Sequence, residues 1–205
     1  MSERPTLDQI EDSMREIIIP FYGIERDMTI PNETRRQESD AEHSWSLAFL
    51  ACSLAEQIDP ALDVGIIAQL AIVHDLPEIY ASDVSVWDSK DKLADKHANE
   101  LAARQRLAQE YSHLPWIAVT IEAYELRDTK EAQFVYALDK LLPLLIRKID
   151  NGRAYVDMKL TKETFLTGLA SSRAKAQTHP VIGAYFEELW AIFESHQEYF
   201  YQPEA

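Results

Sequence analysis

Long segments with apolar residues at helical spacing follow one another along most of this 205-residue sequence. None shows the steady alternation of apolar and polar residues that is typical of strands. Five glycines are few for this length, which further disfavours a turn-rich β protein. The predicted helices cover residues 6–19, 41–58, 60–73, 91–111, 116–126, 131–149, 161–177 and 179–201. Residues 20–40 have no apolar period and are predicted to form a long ordered loop.

The pattern predicts an all-α fold. The sequence contains no repeat, low-complexity tract or flexible linker, so we expect one bundle-like helical domain over residues 1–205. The polar, acidic start does not resemble a signal peptide, and no stretch approaches the ~20 apolar residues of a membrane span. The single cysteine, Cys52, excludes an internal disulfide framework. These features favour a cytoplasmic protein without a membrane partner.

The formal net charge of −15 limits the partners of the chain. A field of this sign repels phosphate backbones and anionic membrane surfaces, so we expect no nucleic-acid polymer as a partner. A small phosphorylated substrate is compatible with it, because a metal ion and a few arginines can reverse the sign inside one pocket.

The dipeptide His74-Asp75 ends an otherwise apolar predicted helix. A carboxylate beside a core-facing histidine is costly to bury unless it is paired, and a divalent cation would pair with it. Glu78 follows at helical spacing on the same face. Pro77 would kink or end the helix and open space for a substrate. Alone, the dipeptide is weak evidence for a metal site.

Two further residues strengthen this interpretation. His43 begins a second apolar helix, where a capping or core histidine is the alternative. Asp139 interrupts a helix that is apolar almost all round and therefore needs a partner. Lys140 is adjacent, but adjacent residues do not face each other on a helix. Two histidines and two carboxylates form a mixed nitrogen and oxygen set that suits Mn, Fe, Co or Zn.

The ordered set His43, His74-Asp75 and Asp139 resembles the HD superfamily of metal-dependent phosphohydrolases. Residues 37–44, 74–83 and 131–140 are similar to three motifs of its 5′-deoxynucleotidase (YfbR-like) branch: Pro-Glu-Ser-x-Ala-Glu-His-Ser, His-Asp-x-x-Glu-x-x-x-x-Asp and Glu-Ala-x-Phe-Val-x-Ala-Leu-Asp-Lys. The resemblance spans about residues 36–150. Asp40 departs from it, since an apolar residue is expected there, and the loop 23–28 lacks the branch's Arg and Trp pairing.

The resemblance implies an HD-domain helical fold and one divalent metal ion, of which Mn, Co, Fe, Zn, Ni and Mg are all candidates. It assigns His43, His74, Asp75 and Asp139 as metal ligands, Glu78 as general acid or base, and Asp83 as the residue that orients the water or a substrate hydroxyl. The implied reaction is attack of a metal-bound water on a small phosphomonoester, with a nucleoside 5′-monophosphate as the first candidate.

A phosphate dianion also needs hydrogen-bond donors, and the guanidinium fork suits it. Arg36 lies seven residues before His43 and is the first candidate, followed by Arg35 and Arg26. Arginines at the surface without a role in binding are the alternative for all three.

Two other readings stay open. His97 and His113 lie where some HD proteins bind a second metal, which would make the chain a phosphodiesterase or a di-iron oxygenase. A helical binding module that keeps a metal for structure is the non-enzymatic alternative. The aromatic residues Trp190, Phe193, Tyr199, Phe200 and Tyr201 favour packing in the core or in a homodimer over nucleotide stacking.

Overall fold

A computed structural model describes residues 4–81, 85, 87 and 90–203, and residues 90–97 of this set as backbone alone. Helices dominate the described chain, which confirms the all-α prediction. They are α1 (Leu7–Ser13), α2 (Ile19–Tyr22), α3 (Asp40–Ile58), α4 (Val64–Val73), α5 (Glu78–Ala81), α6 (Lys90–Glu110), α7 (Pro115–Leu126), α8 (Lys130–Ile149), α9 (Arg153–Asp157), α10 (Lys162–Gly168), α11 (Ala170–Ala176) and α12 (Pro180–Ser195). A π-helical turn (Met14–Ile18) joins α1 to α2, and a 3₁₀ turn (Gln197–Tyr199) follows α12.

The prediction of a loop over residues 20–40 is partly wrong, because this segment contains a β-hairpin. Strand β1 (Glu25–Thr29) pairs antiparallel with β2 (Gln37–Ser39), with Glu25 opposite Ser39 and Thr29 opposite Gln37. The strands are short and mostly polar, so the sequence offered no alternation from which to predict them. Their buried members include the polar Glu38 and Ser39, which point into the molecule beside the start of α3.

Helix α3 begins where the hairpin ends, and its start is set by a capping box. The Ser39 hydroxyl accepts from the Glu42 backbone N–H, while the Glu42 carboxylate accepts from the Ser39 backbone N–H. This arrangement satisfies two N-terminal donors of the helix. It places His43 in the first turn of α3, facing inward.

Helix α8 is the centre of the fold and contacts α3, α4, α7, α11 and α12. Its near-continuous apolar sequence is explained by this burial from several sides. The main core gathers around it, with the fully buried Phe134 and Leu138 from α8, Leu47 from α3 and Leu70 from α4.

Helix α4 ends at Val73, and the turn before α5 carries His74 and Asp75. The stretch Val64–Ala81 has a mean hydropathy of 1.2 and meets length and composition criteria for a membrane span. However, α4 is ten residues long and packs against α3, α7 and α8, as a core helix does. The end of this apolar helix therefore brings two polar side chains to the inside of the fold.

The remaining predicted helices differ from the structure in detail. The helix predicted over 161–177 is divided at Leu169 into α10 and α11. Trp190, Phe193 and Phe200 are buried in the core around Phe165, in agreement with packing inside the chain. The apolar face predicted for the first helix is largely exposed at Leu7 and Ile10.

Candidate metal centre and adjoining cavity

The four predicted metal ligands, which lie far apart in the sequence, meet inside the fold. His43 comes from α3, His74 and Asp75 from the turn after α4, and Asp139 from α8. Ligand atoms of His43, His74 and Asp75 all lie within 4.8 Å of one another. The Oδ1 atom of Asp139 lies 3.1 Å from His43 Nε2 and 3.8 Å from His74 Nε2. Three residues thus form a compact group of donors, and Asp139 lies beside its two histidines.

The ring of His74 is oriented by its own helix. Its Nδ1 lies 2.9 Å from the Ala71 carbonyl oxygen, to which the Nδ1–H donates. In the neutral ring the Nε2 atom therefore carries the lone pair. Burial would lower the pKa of His74, but the adjacent Asp75 carboxylate raises it, so a cation that binds at Nε2 competes with a proton. The Nε2 atom is buried and has no hydrogen-bond partner among the described residues, although Asp75 Oδ2 is 3.1 Å away. A cation placed there would supply the missing partner, so the donor set fits a divalent metal.

Asp139 uses its two oxygens differently. Oδ1 faces the histidines, while Oδ2 accepts from the Tyr124 hydroxyl at 2.8 Å and from Lys140 Nζ at 2.5 Å. The expectation that Lys140 does not reach Asp139 is therefore wrong, because its long side chain folds back to the neighbouring carboxylate. Burial alone would raise the pKa of Asp139, but Lys140 and His43 hold it well below its usual range.

Arg26 holds Asp75 from the hairpin. Its Nη1 donates to Asp75 Oδ2 at 2.8 Å and to Asp40 Oδ1 at 3.0 Å. Asp40, the residue that departs from the family motif, is fully buried and thus pairs with a cation from β1. Burial would raise the pKa of Asp75, but His74 and Arg26 lower it below its ordinary value. This carboxylate is ionised and held in place.

Two other groups at the centre have shifted pKa values. Burial and the nearby Arg26 cation lower the pKa of His43 to about 4, so its ring is neutral near neutral pH. Burial raises the pKa of Glu38 to about 7 despite Arg26. A neutral imidazole and ionised carboxylates are the forms that bind a cation.

A cavity of about 580 Å³ adjoins this centre, and His74, Asp75 and Asp139 form part of its wall. Glu78, at the start of α5, also lines the cavity, as predicted for a residue one helical turn after His74. The volume of the cavity is in the range of sites that bind nucleotide-sized molecules. The centre is therefore accessible to a ligand of this size.

The predicted phosphate-binding arginines have different positions. Arg26 lines the cavity, whereas Arg36 binds the Glu42 carboxylate and lines a separate surface cleft. Arg35 binds Asp150 and Asp157, which ties the hairpin to the segments after α8. Within the described residues neither Arg35 nor Arg36 lines the main cavity. Tertiary packing brings Asp150 and Asp157 to Arg35, and the capping residue Glu42 pairs with Arg36. The local sequence did not reveal these partners.

Sequence reasoning missed most of the cations that line the cavity. Besides Arg26 they are Arg104, Arg127, Lys140, Arg147 and Lys175. The signal available for one of them was helical spacing on α8, since Arg147 lies eight residues after Asp139; Lys140 is adjacent to Asp139 and was set aside for that reason. The others come from α6, α11 and the end of α7, and only packing of these helices brings them here.

The remaining predicted site residues are less well defined. Asp83 and the side chain of His97 lie outside the described residues. His113 is exposed after α6, with its ring 6.2 Å from that of Tyr111. Among the described side chains, the compact group of potential metal-binding residues contains His43, His74 and Asp75; neither His113 nor the predicted ligand Asp139 belongs to it.

Comparisons with known proteins agree with this geometry. The solved structure of a predicted metal-dependent phosphohydrolase from Magnetospirillum magnetotacticum MS-1 is similar, with a TM-score of 0.75 and 26% sequence identity over 96% of this chain and 99% of that chain. Comparison with curated protein sequences finds no match. The sequence profile of the HD domain matches residues 24–182, a range that contains all four converging residues. The chain therefore belongs to the HD-domain family.

Proposed function

We propose that the chain is a metal-dependent phosphohydrolase that releases phosphate from a small phosphomonoester. The observation that carries this proposal is the buried Nε2 of His74, which has no hydrogen-bond partner in the described part of the chain and lies beside two ionised carboxylates at a cavity of about 580 Å³. The similar solved structure of a predicted metal-dependent phosphohydrolase supports the same reaction class.

The proposed ligands are His43, His74 and Asp75, whose donor atoms lie within 4.8 Å of one another, and Asp139, whose Oδ1 lies 3.1 Å from His43 Nε2 and 3.8 Å from His74 Nε2. A divalent cation bound there supplies Lewis-acid chemistry: it lowers the pKa of water and neutralises charge on a phosphoryl oxygen. Its identity among Mn, Co, Fe, Zn, Ni and Mg is a matter for metal analysis.

The chain's own residues supply binding and proton transfer. Lys140 and Arg26 are cations on the cavity wall beside Asp139 and Asp75, where they attract a phosphate dianion. Glu78 lines the same wall and is the group proposed to take and return the proton. Asp83 keeps its proposed role of orienting the attacking water or a substrate hydroxyl.

A nucleoside 5′-monophosphate is the proposed substrate class. The cavity is large enough for it, and aromatic side chains on its wall, Trp87, Tyr124 and Tyr136, offer apolar surface for the rest of the molecule. The resemblance to the 5′-deoxynucleotidase motifs supports the same class.

Metal analysis of the purified protein, together with a phosphate-release assay over nucleoside monophosphates and sugar phosphates, tests the proposal. We expect one divalent cation per chain and release that a chelator abolishes. Asp75→Asn should lose both the cation and the activity, whereas Glu78→Gln should keep the cation and lose at least about 100-fold in kcat. Two cations per chain, or release that survives Asp75→Asn, would contradict it.

Matched controls come from carboxylates outside the site. Asp12 is exposed on α1 and pairs with Arg15. Asp12→Asn should therefore retain both the cation and the activity of the wild type, which separates loss of the site from a general effect of removing a carboxylate.

A further inference from the structure

Arg147 is a buried cation on the cavity wall that the proposed reaction does not use. It lies near the end of α8, and 2% of its surface is exposed. Its Nη2 donates to the Asp27 carbonyl oxygen at 3.1 Å. Its Nη1 is buried and has no acceptor among the described residues, and no carboxylate oxygen of these residues lies within ion-pair distance.

Such an arrangement is costly without a ligand. A buried guanidinium has lost water on every side, and only a hydrogen-bonded counter-charge compensates fully. Burial lowers the pKa of Arg147, and Tyr155, whose ring centroid lies 5.4 Å from the guanidinium carbon, offsets this only in part together with the carboxylates of Asp27 and Asp150. By contrast, Arg35 near the hairpin is bound directly to two carboxylates, and its pKa is raised. Nη1 of Arg147, which has no acceptor among the residues that the structure describes, is therefore available to an anion.

The position of Arg147 defines a second end of the cavity. Asp139, Pro143 and Arg147 follow at intervals of four residues along one face of α8, and all three line the cavity. Eight residues correspond to about 12 Å along the helix axis. Lys175 and Ser172, three residues apart on α11, line the cavity as well and add a cation and a hydroxyl. The cavity therefore extends from the metal centre along α8 to this second cation.

We propose that Arg147, with Lys175 and Ser172, binds a second anionic group of the substrate. The enzyme then prefers phosphomonoesters with a phosphate or a carboxylate at the end opposite to the phosphate that is hydrolysed. This inference rests on the proposed phosphohydrolase function and specifies its substrate class. Arginine suits both anions, because its fork donates two parallel hydrogen bonds to either of them.

Matched substrates test this preference. One set has a six-carbon frame: glucose 6-phosphate has a neutral far end, 6-phosphogluconate has a carboxylate there, and glucose 1,6-bisphosphate has a phosphate. A second set consists of adenosine 5′-monophosphate and adenosine 3′,5′-bisphosphate. For at least one pair we expect kcat/KM to be about 10- to 100-fold higher with the second anion, mostly through KM. Arg147→Met should abolish this ratio, and Arg147→Lys should restore part of it. No preference in any pair would overturn the inference.

Two controls separate binding from structure. Lys148→Met removes a neighbouring cation that is exposed, and should keep the wild-type ratio. Because Arg147 also donates to the backbone of β1, the urea unfolding curve of each variant is compared with that of the wild type. The quantity that tests the inference is the ratio of kcat/KM between the two substrates of a pair, rather than either rate alone. A ratio equal in the wild type and a folded Arg147→Met would also overturn the inference.

Calorimetric titration of the metal-loaded protein with the same compounds distinguishes this inference from the proposed function. Tighter binding of the doubly anionic compounds that depends on Arg147, without phosphate release, would contradict the reaction but support the second anion site. Phosphate release with no dependence on Arg147 would support the reaction and contradict the site.

Discussion

At the scale of single residues, the proposed metal ligands are held in place by neighbouring groups that do not themselves face the metal centre. The Ala71 carbonyl orients His74, and Tyr124 with Lys140 holds the outer oxygen of Asp139. These contacts leave Nε2 of His74 and one oxygen of Asp139 directed inward, toward the point where a cation would bind. Removal of such a supporting group commonly lowers metal affinity by about 10- to 100-fold.

Tyr124→Phe tests this support directly. The substitution removes the hydroxyl that donates to Asp139 Oδ2 but keeps the ring in the core. We expect cation affinity to fall by about 10- to 100-fold, as for other groups that orient a ligand. Titration of the metal-free protein with Mn²⁺ or Zn²⁺ measures it.

The control for this variant is another buried tyrosine. The Tyr111 hydroxyl donates to the Glu16 carbonyl in the smaller core cluster, away from the centre. Tyr111→Phe should bind the cation as the wild type does. Equal affinities in both variants would show that the Tyr124 hydroxyl does not support the site.

At the scale of elements, the hairpin and the end of α8 connect the cavity to the rest of the fold. The hairpin carries Arg26 to Asp75, and Arg35 ties it to Asp150. After α8 the chain turns at Asn151 and Gly152, both with positive φ, and enters α9. This turn packs closely on Tyr199, so a change there acts on the C-terminal part of the core.

Gly152→Ala should be strongly destabilising. Gly152 has φ of 70°, and an added Cβ would lie 2.4 Å from Tyr199 Cβ and 2.5 Å from its carbonyl oxygen. Backbone strain and this overlap together predict a loss of about 3 kcal/mol in the free energy of unfolding. Urea denaturation monitored by circular dichroism measures the change.

Gly23→Ala is the matched control. Gly23 ends α2 with φ of −91°, and an added Cβ would meet Pro20 O at an ordinary 3.4 Å. We expect a change within about 1 kcal/mol. Similar midpoints for the two variants would mean that the turn after α8 is free to rearrange.

At the scale of the whole molecule, an acidic protein encloses a cavity with several cations. The net charge is −15, but among the described residues six basic side chains line the cavity beside six acidic ones, which are Asp27, Asp75, Glu78, Glu100, Glu125 and Asp139. The lining is therefore balanced in formal charge, and a bound divalent cation would make it positive, so that a small phosphorylated compound can be attracted into the cavity of a protein that repels nucleic-acid polymers. The cytoplasmic location and the homodimer remain predictions.

Binding of a cation should stabilise the whole fold, because its ligands come from three parts of the chain. At a concentration of about 100 times Kd, the gain is about 2.7 kcal/mol. For a protein of this size it corresponds to about 5 to 10 °C in Tm. Differential scanning calorimetry with EDTA and then with excess Mn²⁺ measures the shift. Asp75→Asn should show little of it; an undiminished shift in this variant would place the cation elsewhere.

Much of this protein could be predicted from local signals. Helical periodicity predicted α3, α4, α6, α7 and α8 within a few residues, because each has apolar residues at helical spacing, whereas the short α5 was not predicted. His74 and Asp75 stood out because polar groups inside an apolar helix need a partner. The short hairpin was missed, since its polar strands carry no period.

From the sequence alone we could predict the helical class and, through the family resemblance, propose four metal ligands, of which the structure brings His43, His74 and Asp75 into one group with Asp139 beside it. Which cations line the cavity became known from the tertiary structure. Arg35 pairs with the distant Asp150 and Arg36 with the capping residue Glu42. Arg147 and Lys175, in contrast, line the cavity. The physical reason is that periodicity is a local property of the chain. The partner of a charged side chain, in contrast, depends on how separate helices pack.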